Sequence, residues 1–110
     1  MAFTQEYADQ EPSRAEIDAL AGPVVVEFGA PWCPHCIAVQ SALEVLMQEF
    51  PVHHIKIYDG KGLPLGRSFR VKLWPSLVFL RDGNVLRQLA RPGRDQMREA
   101  FEALAAEEAR

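Results

Sequence analysis

The chain has little cysteine, no long apolar run and no excess of positive charge. Each shortage closes off a class of protein. Two cysteines among 110 residues are too few for a disulfide-stapled scaffold. By themselves they are also too few for a structural zinc site, which takes four ligands. No apolar run approaches the roughly 20 residues of a membrane-spanning helix. A net charge of −3 leaves no electrostatic footprint for nucleic acid. Internal repeats, low-complexity tracts and linkers are missing too. The start, Met1-Ala2-Phe3-Thr4-Gln5-Glu6-Tyr7, has neither a basic segment nor an apolar stretch, so no signal peptide is expected. With Met1 as the natural start, the expectation is a monomer in the cytoplasm, where thiols are mostly held reduced.

What is present suits one soluble domain over 1–110. The chain is 48% hydrophobic and 25% charged, an ordinary balance for a globule that builds its core without staples. Residues 1–11 are polar and acidic and read as a tail or a weak first strand around 3–7. Pro12-Ser13 starts a short helix over 13–20, which Gly22 stops. The apolar run 24–28, broken only by Glu27, reads as a strand covered on both faces. A helix over 33–49 follows, with Ile37, Leu43, Met47 and Phe50 as its apolar positions and Pro51 as its end. A strand over 52–58, the turn residues Asp59-Gly60-Lys61-Gly62 and a short helix over 63–70 come next. Strands over 76–80 and 85–89 flank the hairpin turn Arg81-Asp82-Gly83-Asn84, and Arg91-Pro92-Gly93 closes that hairpin. A last helix starts near Asp95, a good N-cap, and carries Met97, Phe101 and Leu104 on one face. A βαβ unit followed by a hairpin and a helix gives an α/β protein: a mixed sheet of four or five strands with helices on both faces.

Both cysteines fall in Trp32-Cys33-Pro34-His35-Cys36. Strand, tight turn, Cys-x-x-Cys and helix, in that order, read as a redox motif. The competing reading is a zinc half-site completed by His35, His53 or His54. In the redox reading Cys33 is the nucleophile, because the unpaired N–H groups and dipole of a helix start favour a thiolate. Cys36, one turn further in, resolves the mixed disulfide. His35 can stabilise the Cys33 thiolate, which makes the couple more oxidising, or it is an inert surface residue. Pro34 suits a helix start because its missing N–H is not needed there. Trp32 shields the thiols and contacts partners, or anchors the loop. His53 and His54 read as solvated bystanders.

This order of elements, with Trp-Cys-x-x-Cys after the first central strand, resembles the thioredoxin family from Gly22 to Leu104. Glu27 stands six residues before Cys33, where the family has a buried acid. Lys56 stands nineteen before Pro75, matching the family's lysine and cis-proline. The stretch from Phe69 through Trp74-Pro75-Ser76 to Gly83 follows the family pattern without a gap. Three departures accompany the likeness. Thioredoxins have Gly-Pro where this chain has Pro34-His35, a pair found in periplasmic disulfide oxidases whose inserted helical domain has no room here. The acid is Glu27 rather than Asp. Arg91 falls where the family has a glycine in the substrate groove.

The resemblance implies the thioredoxin fold and dithiol–disulfide exchange with protein disulfides, with no cofactor beyond the Cys33–Cys36 pair. A thioredoxin reductase-like enzyme or glutathione would supply electrons. Glu27 would take the Cys36 proton as general base, with Lys56 paired to it across the sheet; the plainer alternative is a structural ion pair. Pro75 would be cis and would offer the backbone of Trp74 to an extended substrate. Trp74 would narrow that groove, or serve in packing alone. The function implied is a cytoplasmic reductase with a relatively oxidising potential. A disulfide oxidase or isomerase, and a non-catalytic adaptor or assembly chaperone, are the alternatives.

Overall fold

A computed structural model describes residues 3–60 and 63–108. Eight elements follow one another: α1 (Arg14–Asp18), β1 (Pro23–Gly29), α2 (Pro34–Glu49), β2 (His53–Tyr58), α3 (Pro64–Ser68), β3 (Ser76–Arg81), β4 (Asn84–Ala90) and α4 (Arg94–Glu108). The strands form one sheet in the order β2-β1-β3-β4. β1 runs parallel to β2 and antiparallel to β3, and β3 pairs antiparallel with β4. This is the mixed sheet of the thioredoxin fold.

Alternation along β1 builds two cores. Val24, Val26 and Phe28 face Ile17 of α1, Leu65 of α3 and Phe69. Val25 faces the other way, with Leu77 and Phe79, into Leu43, Leu46 and Met47 of α2 and Met97, Phe101 and Leu104 of α4. A period of two along a strand buried on both faces requires an unbroken apolar run. Glu27 is the exception: it lies on the α2 side and is fully buried.

Local chemistry sets the element ends. Ser13 caps α1 in a reciprocal capping box with Glu16, which satisfies two orphan N–H groups. The β3–β4 turn places Asp82 and Gly83 at φ of 51° and 82°, the double positive φ for which Asp-Gly is suited. A side chain at Gly83 would also run into the Asp18 carbonyl.

Among the described residues the sheet has four strands, within the expected four or five, and of the two readings of the N-terminus the tail holds: residues 3–8 form no strand, although the Ala8 N–H donates to the Lys56 carbonyl at 2.9 Å. A regular ladder needs repeated backbone pairing, and the other N-terminal bonds involve side chains. Some expectations need correction. Ile37 is exposed rather than core-facing, because six residues on to Leu43 turn the helix by about 240°. Gly93, not Asp95, precedes α4: its carbonyl accepts from the Met97 N–H, and its own N–H donates to the Gln96 side chain. The turn expected at Asp59-Gly60-Lys61-Gly62 lies partly outside the described residues. No helix among the described residues is long and apolar enough to cross a membrane.

Phe101 is fully buried against Phe50 and Phe79, with ring centroids at 5.8 and 5.2 Å. Phe101→Ala should cost about 3–5 kcal/mol. Val45→Ala, at a site 58% exposed, should stay within about 0.5 kcal/mol. Urea midpoints of the two variants check this, and equal midpoints would contradict the placement of the core.

Candidate active site

The end of β1 and the start of α2 bring the two thiols together. Cys33 is the N-cap of α2, one position before the first turn where the sequence placed it, and Pro34 is the first helical residue. The Cys33 sulfur accepts from the Cys36 N–H at 3.3 Å, so it takes up one of the orphan donors of the helix start. Both cysteines are free thiols. Cys36 packs against Gly29, where a Cβ would come within 2.5 Å of its sulfur. The strand must therefore end in glycine for the helix to dock.

Exposure does not distinguish the thiols, since Cys33 is 5% and Cys36 1% exposed. Their surroundings do. Burial pushes Cys33 up, but hydrogen bonds from the Cys36 side chain, the Cys36 N–H and the His35 N–H, with the charge of Arg91, outweigh it. The net result holds Cys33 below the ordinary thiol value. Cys36 is pushed up to about 12 by burial first, then by its bond to Cys33 and the charges of Cys33 and Glu27. A thiolate is thus favoured at Cys33 and disfavoured at Cys36. Pro34 and His35 are exposed. The contribution of His35 comes through its backbone N–H.

Below the thiols lies a buried polar network. In register, Glu27 stands opposite Lys56, yet their side chains do not pair directly. Glu27 accepts from Gln40 Nε2 and from His54 Nε2, both at 2.8 Å. Lys56 Nζ donates to Gln40 Oε1 at 2.8 Å and to the Gln5 carbonyl at 3.2 Å. The Gln40 amide therefore stands between the two charges, and it also donates to the Cys36 carbonyl at 2.8 Å. The Thr4 N–H donates to His54 Nδ1 at 2.8 Å. With Nδ1 accepting, the proton of the ring is on Nε2, so His54 is a neutral donor to the carboxylate.

Sequence reasoning took His54 for a bystander and missed Gln40. Each had a positional signal: His54 shares a strand face with Lys56 two residues on, and Gln40 lies one turn beyond Cys36. Tyr7 was missed as well. It stacks edge-on against Tyr58, lies 4.9 Å below Lys56 Nζ, and helps to line a cavity of about 300 Å³ against Cys36, Ile37, Gln40 and Lys56. Burial first, then Glu27 and the two thiols, push its hydroxyl well above the ordinary tyrosine value. Nothing in sequence spacing ties Tyr7 to the motif, since its segment belongs to no regular element.

On the other flank the Trp74–Pro75 peptide is cis. Trp74 packs against the cluster of Ala30, Cys33 and Cys36. Its indole donates to Asp59 at 2.9 Å and meets Trp32 edge-on at 5.5 Å. Trp32 itself is 63% exposed. Arg91 Nε donates to the Trp74 carbonyl at 2.8 Å. His53 is exposed. Among the described residues no three His, Cys, Asp or Glu side chains are placed to hold a metal ion, and both ring nitrogens of His54 are engaged elsewhere. What the arrangement can do chemically is form a thiolate at one sulfur, with a second thiol next to it and a carboxylate tied to the same helix turn through Gln40.

Comparisons with known proteins agree with this geometry. The thioredoxin family model matches residues 5–103. Thioredoxin 2 from Pseudomonas aeruginosa PAO1, solved in its reduced form, superposes with a TM-score of 0.84 at 48% identity, covering 96% of this chain and 99% of that one. Protein disulfide-isomerase A2 of Pongo abelii is 42% identical over 66 residues, 56% of this chain and 13% of that protein. Thioredoxin H5 of Arabidopsis thaliana is 26% identical over 77 residues, 69% of this chain and 65% of that protein. The chain thus spans only part of the length of both curated relatives. The match over residues 5–103, joined to the fold and the paired thiols at the start of α2, means that the chain belongs to the thioredoxin family of thiol–disulfide oxidoreductases.

Proposed function

We propose that this protein is a cytoplasmic, monomeric protein-disulfide reductase, with a potential more oxidising than that of a Gly-Pro thioredoxin. One observation carries the reading: both thiols are buried, but Cys33 accepts hydrogen bonds from the helix start, while Cys36 donates to Cys33 and feels the charges of Cys33 and Glu27. The Cys33 thiolate attacks one sulfur of a substrate disulfide. The substrate S–S bond breaks, a Cys33 mixed disulfide forms, and the released substrate thiolate takes a proton. Cys36 then gives its proton to Glu27, whose carboxylate is tied to the Cys36 turn of α2 through Gln40. The Cys36 thiolate attacks the Cys33 sulfur and expels the second substrate thiolate. The substrate gains two electrons and the Cys33–Cys36 disulfide forms. A thioredoxin reductase-like enzyme or glutathione returns the electrons.

Lys56 acts through Gln40 in this scheme, holding the amide so that its NH₂ faces Glu27. Trp32, Ile37 and Leu73 are exposed around the site, an apolar rim suited to protein rather than small-molecule substrates. Trp74 and Pro75 form the wall against which the substrate backbone lies. The oxidase or isomerase alternative draws on His35, since each added stabiliser of the Cys33 thiolate favours the dithiol form. Insulin reduction, with Cys36→Ser to trap mixed disulfides on Cys33, tests the central reading. Turnover by the wild type and trapped adducts in the variant are expected. Neither would appear if the fold served as an adaptor.

Brief iodoacetamide labelling near neutral pH should modify Cys33 alone. Its rate should reach half-maximum below the midpoint of an ordinary thiol, because donors stabilise the thiolate. Cys36, held up to about 12, should resist until strongly alkaline pH. Mass mapping reads the site, and equal labelling would reverse the roles.

Glu27→Gln should slow release from a preformed mixed disulfide by tenfold or more, the lower range expected of a general base being about 100-fold. Alkylation of Cys33 should change little. Stopped-flow measurement of both steps across pH 6 to 9 decides it. An unchanged resolution rate and pH profile would make Glu27 purely structural.

His35→Pro removes both the ring and the backbone N–H that reaches Cys33, whereas His35→Ala removes the ring alone. The proline variant should be the more reducing of the two, by tens of millivolts, since about 30 mV corresponds to 1.4 kcal/mol in a two-electron couple. Equilibration with glutathione buffers measures this. A proline variant no more reducing than wild type would remove His35 from the tuning of the site.

A further inference from the structure

Arg91 stands out at the rim of the thiol site. It directly follows β4 and has a φ of 47°, a left-handed conformation that costs a non-glycine residue about 1–2 kcal/mol. Two contacts hold it there. Its N–H donates to the Pro75 carbonyl at 2.8 Å, and its Nε donates to the Trp74 carbonyl at 2.8 Å. One arginine thus occupies the carbonyls on both sides of Pro75. The Trp74 carbonyl is the acceptor that an extended chain laid against this wall would use.

The rest of the guanidinium is uncommitted. Arg91 is exposed, and its Nη nitrogens have no hydrogen-bond partner among the described residues. No carboxylate pairs with it there. Asp59, the carboxylate bonded to Trp74, is engaged by its indole. An unpaired planar cation with free donors, fixed beside a reacting sulfur, matches a carboxylate in bidentate fashion. Its charge is also felt at Cys33.

We infer that Arg91 is a specificity-determining residue: a latch that closes the Trp74 carbonyl to neutral extended chains and opens toward disulfides flanked by aspartate or glutamate. A flanking carboxylate that takes the guanidinium side-on, through Nε and one Nη, withdraws Nε from the Trp74 carbonyl, and this frees that carbonyl for the N–H of the same substrate. A neutral chain must displace Nε with no ion pair in return. A basic flank meets the same obstacle with repulsion added. This inference rests on the exchange reaction proposed above.

The test uses three peptides with one common disulfide, flanked by Glu, Gln or Lys. The kcat/KM for reduction is measured with wild type, Arg91→Gln and Arg91→Lys. Wild type should prefer the Glu over the Lys peptide by about tenfold, equivalent to 1.4 kcal/mol. That preference should shrink as salt is raised, because the rim is solvated. Arg91→Gln should bring the ratio near unity. Arg91→Lys keeps the charge without the Nε contact, so it should retain much of the acidic preference while reducing the Gln peptide faster than wild type does. A Glu-to-Lys ratio in Arg91→Gln equal to that of wild type overturns the inference, as does a Gln peptide that Arg91→Lys reduces no faster. Turnover with a flat ratio in wild type defeats the latch alone. Absence of turnover with every peptide and with insulin defeats the exchange reading, and the latch with it.

Discussion

A carboxylate buried in the middle of a sheet must have both oxygens hydrogen-bonded, since an unpaired buried charge is costly by several kcal/mol. Glu27 imposes that demand, and three separate segments meet it. β2 supplies His54, α2 supplies Gln40, and the N-terminal segment fixes the His54 tautomer through Thr4. Each partner is itself constrained. His54 can donate from Nε2 only while Nδ1 accepts. Gln40 can present its NH₂ to Glu27 only while its oxygen accepts, and Lys56 is the donor. Residues 3–8 therefore lie along β2 without forming a strand: side-chain bonds and the single backbone bond from Ala8 to Lys56, rather than a ladder, hold them there.

The same network reaches the chemistry through one amide. Gln40 binds Glu27 and the Cys36 carbonyl together, so the carboxylate and the first turn of α2 share a fixed relation. Gly29 supplies the other half of this docking by leaving room for the Cys36 sulfur. Neither device acts on Cys33 directly. Its stabilisers are backbone N–H groups of the helix start, the Cys36 thiol and a rim cation.

Most of the fold could be read from the sequence because local rules and burial agree in it. The apolar run of β1, the Asp82-Gly83 turn and the Ser13 cap each encode one conformation with one mechanism. The weakest readings were those that treated a residue in isolation. Ile37 looked like core on spacing alone, yet its angle around α2 places it at the site rim. Asp95 looked like a cap, but Gly93 with Gln96 three residues on satisfies the helix start. At the site, Cys33, Cys36, Glu27 and Pro75 were legible from motif and spacing. His54 became legible only with the strand register, which puts it beside Val25 and Glu27 on one side of the sheet. Tyr7 depended on how an irregular segment returns over the site, and no local pattern carries that.

The two sides of the thiol pair differ in kind, and this gives the site a direction. At the start of α2, Cys33 meets backbone N–H groups, the Cys36 thiol and the charge of Arg91, all of which favour negative charge on sulfur. Toward the sheet, Cys36 meets a carboxylate and a closed polar network, which disfavour it. On the exchange reaction proposed above, a substrate sulfur would meet Cys33, the sulfur whose thiolate is favoured, and the Cys36 proton would have Glu27 as its acceptor. On that reaction, donors at Cys33 would set the potential and Glu27 the rate of release, so the two properties would rest on different residues. The buried network joins β1, β2, α2 and the N-terminal segment to the Cys36 side of the pair, while Trp32 and Arg91 at the rim take no part in it.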